Sequence, residues 1–172
     1  PLKGEFAIEQ QSNPEGYYLI QASYTDQGAN GIQPLMGAAQ LLLRNPIVKA
    51  VEADLFEHTA KANANGLNFV RFTKNNSWIA FEDLDLKGIK EIELLVNPAG
   101  ITGLLELRQG SVSGPLIGSS ALLKQGDKQG YFSIKVPIKQ TDEIGDLYLV
   151  LRTESGISIW NTFNLDTIRF IE

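Results

Sequence analysis

The sequence lacks cysteine altogether and contains one histidine and one methionine among its 172 residues. The absence of cysteine excludes disulfide bonds, thiol catalysis and cysteine-ligated zinc sites. The single histidine, His58, excludes a histidine-rich metal centre and leaves one Ser-His-Asp triad possible. It lies in the polar stretch LFEHTAKANANG, with no nucleophile motif around it. We therefore predict that His58 is an exposed residue in a loop or at the end of a strand.

Catalytic and nucleotide-binding motifs are missing as well. The sequence contains no P-loop, no dinucleotide-binding fingerprint, no HExxH and no G-x-S-x-G nucleophile elbow. The 20 acidic residues leave a glycosidase-type carboxylate pair open, because a sequence does not give the distance between two carboxylates. Nothing positive supports an enzyme, so we predict that the domain itself is not catalytic.

The charge balance and the apolar runs exclude further classes. With 15 basic and 20 acidic residues the net charge is −5, which disfavours nucleic acids and anionic membrane surfaces as partners. No apolar run reaches the ~20 residues of a membrane span. The chain begins at Pro1 without a secretory signal pattern, and we interpret it as a piece of a larger or processed protein.

Short strand signals dominate what is present. Glycine, asparagine and proline separate apolar or alternating segments, a pattern typical of an antiparallel β-sandwich or barrel. Residues 48–57 alternate well as a strand, and a short helix stays open because periodicity alone does not decide between the two. The predicted strands are 16–26, 38–46, 48–57, 67–72, 77–86, 89–97, 103–110, 130–138, 145–153 and 163–172.

The amino-acid composition of the N-terminal part of the chain differs from that of the rest. Residues 22–37 are rich in glycine, alanine, glutamine and asparagine and predict a long loop between two strands. We therefore divide the chain into an N-terminal β extension or linker, residues 1–46, and a β-sandwich, residues 47–172. The extension either packs on the sandwich or is the remnant of a preceding domain.

The closing strand FNLDTIRFIE poses a question. Strict alternation puts Asn164 and Asp166 on the same face as Ile168 and Phe170. A carboxylate or amide within an apolar layer needs a partner. The two polar residues are therefore candidate site residues.

From residue 48 onward the sequence resembles the family 6 carbohydrate-binding modules. The resemblance implies a jelly-roll β-sandwich of the galactose-binding-like kind, which agrees with the strand pattern. It implies a sugar cleft at the loop ends, with two aromatic rings and an asparagine. The motifs that carry it are VEAD (51–54), VRFTKNNSWIAF (70–81), GLLELRQGSVSGPLIGS (103–119) and FNLDTIRF (163–170).

Carried over position by position, the cleft residues are Phe72, Tyr131 and Asn164. Trp160, in the stretch SGISIWNTF, is a candidate second stacking platform. A pyranose rests its C–H face on a ring, and an asparagine amide both donates to and accepts from hydroxyls. Arg71 replaces a glycine of the family motif, and it either crowds the cleft or adds a hydrogen-bond donor.

The resemblance also implies a structural calcium ion. The family often holds Ca²⁺ between the opening acids and the acid of the closing motif, which here are Glu52, Asp54 and Asp166. Three carboxylates and backbone carbonyls suit the oxygen coordination that calcium prefers.

The resemblance implies a non-catalytic module that binds an oligo- or polysaccharide. It would target an attached catalytic or redox domain, such as a glycoside hydrolase or sugar dehydrogenase, to glycan. The alternative is a degenerate module that serves as a structural, interdomain or protein-interaction unit. Residues 14–46 resemble the segment ahead of such modules in multidomain Bacteroidetes-type proteins. The expected location is periplasmic, cell-surface or secreted.

Overall fold

The structure is a computed structural model that describes residues 17–28, 31–124, 130–141, 144–154 and 162–172. The chain divides into two compact units, Pro1–Asn45 and Pro46–Glu172. Within the described ranges, no helix has the length and apolar character that crossing a membrane requires. Trp160 lies outside the described residues.

The first unit contains an antiparallel hairpin of β1 (Tyr17–Thr25) and β2 (Met36–Arg44). Asp26 organises the connection between the strands: its Oδ1 accepts hydrogen bonds from the backbone N–H groups of Leu35, at 3.0 Å, and Gly28, at 2.9 Å. These two bonds favour the ionised form and lower the pKa of Asp26. The hairpin falls on the two strands predicted for the extension.

The second unit consists of two antiparallel sheets, as the strand pattern predicts. A single turn of 3₁₀ helix, Ala50–Glu52, follows β3 (Ile47–Lys49). In spatial order, the first sheet contains β10 (Leu116–Ser119), β9 (Gly103–Gln109), β12 (Ile144–Thr153), β7 (Trp78–Asp85) and β4 (Leu55–Glu57). The second has six strands: β11 (Phe132–Pro137), β8 (Glu91–Asn97), β13 (Phe163–Ile171), β6 (Leu67–Phe72) and β5 (Thr59–Ala64) in that order, and β3, which pairs with β13 outside the order.

The core lies between the two sheets and follows from alternation along the strands. In β8, every second residue is fully buried while the residues between them are half-buried. The same alternation in β9 and β12 supplies the opposite side of the core. Fully buried aliphatic residues from these strands are Ile92, Leu94, Val96, Leu105, Leu107, Leu147, Leu149 and Leu151. The antiparallel sandwich predicted from the sequence is confirmed.

The segment between the extension and β6 is more broken than the sequence predicts. Residues 48–57 form the end of β3, the 3₁₀ turn and β4 rather than one element. The following polar stretch forms β5, an edge strand paired with β6 that the composition did not indicate. Between β4 and β5, His58 adopts a left-handed φ of 52°. Its side chain is half-exposed and lies 2.7 Å from a carboxylate oxygen of Glu57. The exposure and the place between two strands confirm the prediction of an exposed strand-end residue.

A bulge in β13 changes the side-chain alternation. The pairing register with β8 shifts between Leu165 and Thr167. Leu165 and Ile168 both belong to the core, and Phe170 packs against it, whereas Asn164 lies on the opposite face. Strict alternation was therefore the wrong assumption after Leu165, and the polar residues do not share a stripe with the apolar ones.

Candidate functional site

A group of polar and aromatic residues occupies the face of the six-stranded sheet that points away from the core. In β6, Val70 and Phe72 belong to the core, so the residue between them, Arg71, lies on the other face. Asn164 of β13 is the cross-strand neighbour of Arg71, and Asn97 of β8 is the neighbour of Asn164 on its other side. Side chains at paired antiparallel positions lie about 5 Å apart.

Aromatic rings complete this group. Tyr131 directly precedes β11, and its ring packs on Phe69 with the centroids 5.8 Å apart and the planes inclined by 58°. The guanidinium carbon of Arg71 lies 5.9 Å from the centre of the Phe69 ring. Phe69 is only 3% exposed although it is not a member of the core cluster, so its burial comes from this side of the sheet. We call Phe69, Arg71, Asn97, Tyr131 and Asn164 the outer-face cluster.

Three buried polar atoms of the outer-face cluster have no hydrogen-bond partner. They are Nε of Arg71, the hydroxyl oxygen of Tyr131 and Oδ1 of Asn164, and the described part of the chain has no other buried side-chain atom of this kind. An unsatisfied buried polar atom costs about 1–3 kcal/mol, so three in one place call for an explanation. Together they offer a donor, a hydroxyl and an acceptor, which is the complement that sugar hydroxyls require.

Two charged residues, Asp166 and Arg71, act on the hydroxyl of Tyr131. Burial raises the pKa of its hydroxyl, and the negative charge of Asp166 raises it further, while the positive charge of Arg71 acts in the opposite direction. The net effect is a pKa far above the ordinary value of 10.0. The hydroxyl is therefore neutral near pH 7 and able to donate a hydrogen bond.

The structure brings two of the predicted sugar-binding residues together, Tyr131 and Asn164, but it contradicts the third. Phe72 is fully buried in the core, where its ring meets that of Phe163 edge-on at 6.0 Å. A ring without an exposed face is not a platform for a sugar. The aromatic side chain of β6 that reaches the site is Phe69, which the alignment missed and which the alternation in LNFVRF would have placed on the same face as Arg71. The prediction for Trp160 lies outside the described residues.

The carboxylates predicted to hold calcium do not converge. Asp166 is 1% exposed, and its two oxygens accept hydrogen bonds from the ammonium group of Lys49 at 3.0 and 3.2 Å. Glu52 accepts from the backbone N–H of Lys49 at 3.2 Å, and Asp54 accepts from that of Glu82 at 2.9 Å. Each of the three acids therefore has another partner.

No cluster of three or more acidic or histidine side chains suited to a metal ion occurs in the ranges that the structure describes. The site around Asp166 already contains a cation, the ammonium of Lys49, which also donates to the hydroxyl of Thr167 at 3.1 Å. As they are arranged in the described ranges, the three predicted carboxylates do not form one calcium site, and the calcium ion itself stays a prediction.

A separate cavity of about 580 Å³ lies elsewhere, near the end of β12. Two of its polar side chains have partners: Arg152 donates to Glu106 at 2.8 Å, and the hydroxyl of Thr153 donates to the carbonyl of Thr102. Because the unpartnered buried atoms all lie in the outer-face cluster, we prefer that cluster as the functional site. The residues that line the separate cavity are Asn75, Thr102, Leu104, Leu122, Arg152, Thr153 and Glu154.

Comparison with known families gives one match that covers most of the chain. The profile of the family described as carbohydrate binding module (family 6) matches residues 53–172, which extend from just after the 3₁₀ turn to the last residue. The match includes both sheets apart from β3.

Individual relatives agree with this match. A family 6 carbohydrate-binding module from Clostridium cellulolyticum, solved in complex with xylose, is 26% identical, with a TM-score of 0.65 over 73% of this chain and 96% of that one. A module from Clostridium stercorarium, solved with cellobiose, is 19% identical, with a TM-score of 0.61 over 73% and 92% of the two chains, and shows the shared fold. An arabinoxylan arabinofuranohydrolase from Paenibacillus polymyxa is 26% identical over 145 residues, or 79% of this chain. This chain spans only 22% of that enzyme's length.

Proposed function

Because the chain belongs to the family 6 carbohydrate-binding modules, which bind sugars and are not catalytic, we propose that the outer-face cluster is its sugar-binding site. We further propose that its ligand is a polysaccharide of β-linked xylose or glucose units. The xylose complex of the Clostridium cellulolyticum relative and the arabinoxylan-degrading enzyme of Paenibacillus polymyxa support this ligand class. The observation that carries the assignment is the convergence of three unpartnered buried polar atoms at one place.

We assign a different role in sugar binding to each of these residues. Tyr131 is partly exposed and presents a ring on which the apolar face of a sugar can rest, burying surface worth about 25 cal/mol per Å². Phe69 packs against the ring of Tyr131, and we assign it the role of supporting that ring. Asn164 and the Tyr131 hydroxyl provide the acceptor and donor that satisfy the hydroxyl rim of the sugar.

In the whole protein, we propose that this module holds a neighbouring domain against its polysaccharide. The short share of the arabinofuranohydrolase that this chain matches supports a parent protein with further domains, of which a glycoside hydrolase is our first choice. Tethering raises the local concentration of substrate at the catalytic domain without any new contact there. Since polysaccharides of this class lie outside the cytoplasm, we expect a periplasmic, cell-surface or secreted location.

Isothermal titration calorimetry with xylotetraose and cellotetraose tests the site. We expect the wild type to bind at least one of them with a Kd on the order of 0.01–1 mM. The substitutions Tyr131→Ala and Asn164→Ala should each weaken binding about tenfold or more, because one removes the platform and the other the amide. Ser133→Ala, an exposed change two residues beyond Tyr131, is the matched control and should bind like the wild type.

The outcomes separate a sugar site in this cluster from a site elsewhere and from a structural role. If Ser133→Ala and the two site variants bind equally well, the sugar site lies elsewhere on the module. If the wild type binds neither these sugars nor any member of a glycan array, the module serves the structural or interdomain role that is the alternative reading of the sequence.

A further inference from the structure

Arg71 stands apart from the other arginines whose side chains the structure describes. Arg108 and Arg152 each donate to Glu106 at 2.8 Å, and Arg169 lies 3.9 Å from a carboxylate oxygen of Glu93. Among the described residues Arg71 pairs with no carboxylate; its contact is with the ring of Phe69, and its buried Nε lacks an acceptor. A half-buried guanidinium is thus left without a counter-charge in a protein whose net charge is −5.

An acid on the neighbouring strand, Asp166, does not supply that counter-charge. Asp166 is two residues from Asn164 on β13, but both of its oxygens accept from the ammonium of Lys49. This pair is neutral as a unit, so it leaves the positive charge of Arg71 without a counter-charge. A cation held partly away from water gains most from an anionic acceptor, because charge-assisted hydrogen bonds are about twice as strong as neutral ones.

The position of Arg71 also matters. It lies beside Asn164, whose Oδ1 is one of the unpartnered atoms, and it contacts the Phe69 ring on which Tyr131 packs. A sugar bound by Tyr131 and Asn164 would therefore place its substituents next to the guanidinium. The planar guanidinium matches the paired oxygens of a carboxylate or a sulfate group, which a neutral hydroxyl does not offer.

We propose that the outer-face cluster selects an acidic sugar and that Arg71 binds its oxyanion, either the carboxylate of a uronic acid or a sulfate ester. The inference rests on the proposed function, because it assigns the ligand of the same site. It makes Arg71 the residue that determines specificity, while Tyr131 and Asn164 bind the sugar ring itself.

The test uses matched oligosaccharides that differ in charge. They are a xylotriose that carries one glucuronic acid, the same molecule after its carboxyl group has been reduced to an alcohol, and a xylotriose that carries one sulfate ester. Calorimetry at low salt should give about tenfold to a hundredfold tighter binding for an acidic ligand than for the reduced one. That advantage should shrink as salt is added, because salt screens the attraction.

Variants of Arg71 then assign the effect to this residue. Arg71→Gln should erase the preference, so that the variant binds the acidic and the reduced ligand with equal affinity, while Arg71→Lys should keep part of the preference. Arg169→Gln makes the same charge change at an exposed position on β13 and should change nothing. Melting temperatures of all three variants control for the fold.

Each outcome decides a different point. A preference for the glucuronic acid ligand, lost in Arg71→Gln, supports the proposal with a uronate as the oxyanion, and a preference for the sulfated ligand alone supports it with a sulfate ester. Equal affinities for all three ligands, unchanged by Arg71→Gln, would overturn this proposal and leave the sugar-binding function intact. If none of these ligands nor the neutral tetrasaccharides bind, the proposed function falls and this inference falls with it.

Discussion

The hydroxyl of Tyr131 is a polar atom buried without a partner in the described part of the chain. Such a group costs free energy in the folded state unless a ligand or water completes its hydrogen bonds. We therefore expect Tyr131→Phe to leave the free energy of unfolding unchanged or to raise it by up to about 1 kcal/mol. The same substitution should weaken sugar binding several-fold, because the ligand loses one hydrogen-bond partner.

Urea unfolding and calorimetry on the same Tyr131→Phe protein measure both effects. A variant that is clearly less stable than the wild type would mean that the hydroxyl has a partner within the protein. The hydroxyl would then not be free to bind a ligand.

The pair of Lys49 and Asp166 joins the first strand of the sandwich to the last, across 117 positions of sequence. Removing the ammonium would leave the 1% exposed carboxylate of Asp166 unpaired, and an uncompensated buried charge is costly. We expect Lys49→Met to lower the free energy of unfolding by about 2–3 kcal/mol, somewhat below the range for fully buried pairs because Lys49 is itself 37% exposed.

A double-mutant cycle checks this prediction. Adding Asp166→Asn to Lys49→Met should recover part of the loss, because the buried charge is then gone as well.

Calcium or a chelator should not change the melting temperature of the wild type, since both oxygens of Asp166 already bind Lys49. A melting temperature that rises with calcium would show that the acids rearrange around the ion after all.

Some residues of the candidate site were predicted from the sequence, and others were not. Tyr131 and Asn164 were found by resemblance, and Arg71 was noticed as a departure from the family motif. Phe72 was placed wrongly because an alignment fixes a residue's position along the strand but not the face on which its side chain lies. The partner of Asp166 was missed because nothing local connects Lys49 to a residue 117 positions away.

At the scale of elements, β6 has two faces with different tasks. Phe72 fills the core, and Phe69 lies against the outer-face cluster. We expect Phe72→Ala to destabilise the fold by about 3–5 kcal/mol through the cavity it leaves, while sugar affinity of the protein that remains folded changes little. Phe69→Ala should cost less stability and weaken binding more, because Tyr131 loses its support.

Melting curves and calorimetry on the two β6 variants separate these roles. A reversed pattern, with binding lost in Phe72→Ala and retained in Phe69→Ala, would restore Phe72 to the sugar site and refute the assignment of the faces.

A carboxylate on β9, Glu106, links that strand to β12 through two arginines and makes stability depend on pH. Burial alone would raise the pKa of Glu106, but hydrogen bonds from Arg108 and Arg152, each at 2.8 Å, outweigh it and hold the pKa below its ordinary 4.5. A carboxyl group whose pKa is depressed on folding contributes stability above its ordinary pKa. That contribution is lost as the pH falls through the folded value.

Unfolding by urea at a series of pH values tests the network. We expect the wild type to lose stability as the pH falls below 4.5 and Glu106→Gln to show a shallower dependence there. Glu172→Gln, an exposed change at the last residue, is the control and should follow the wild-type curve. Parallel curves for wild type and Glu106→Gln would mean that other carboxylates carry the acid sensitivity.

Elements with clear alternation were predictable, and the exceptions have physical causes. The predicted strands 89–97, 103–110 and 145–153 fall on β8, β9 and β12, which combine apolar segments with strand-forming residues. β5 was missed because its sequence TAKANA has low strand propensity and is held by pairing with β6. The bulge in β13 was missed because a register shift depends on the neighbouring strands, and it alone moved Ile168 to the core face.

At the scale of the whole molecule, the two compact units differ in what they contain for their own stability. The core cluster of the sandwich draws all of its residues from Pro46–Glu172. The described strands of the first unit form one hairpin, and a two-stranded hairpin alone is marginally stable in water. The sandwich is large enough to bury a core of its own.

We therefore expect a protein made of residues 46–172 to fold without the preceding unit and to keep the complete outer-face cluster. Its melting temperature should lie within a few degrees of the full chain, because no residue of the core cluster is removed. Its affinity for the sugar that the full chain binds should agree within about twofold, since Phe69, Arg71, Asn97, Tyr131 and Asn164 all lie in the second unit. Calorimetry and thermal unfolding of the truncated and full chains provide the comparison. A truncated protein that unfolds without a cooperative transition, or that loses the sugar while remaining folded, would assign part of the fold or of the site to residues 1–45.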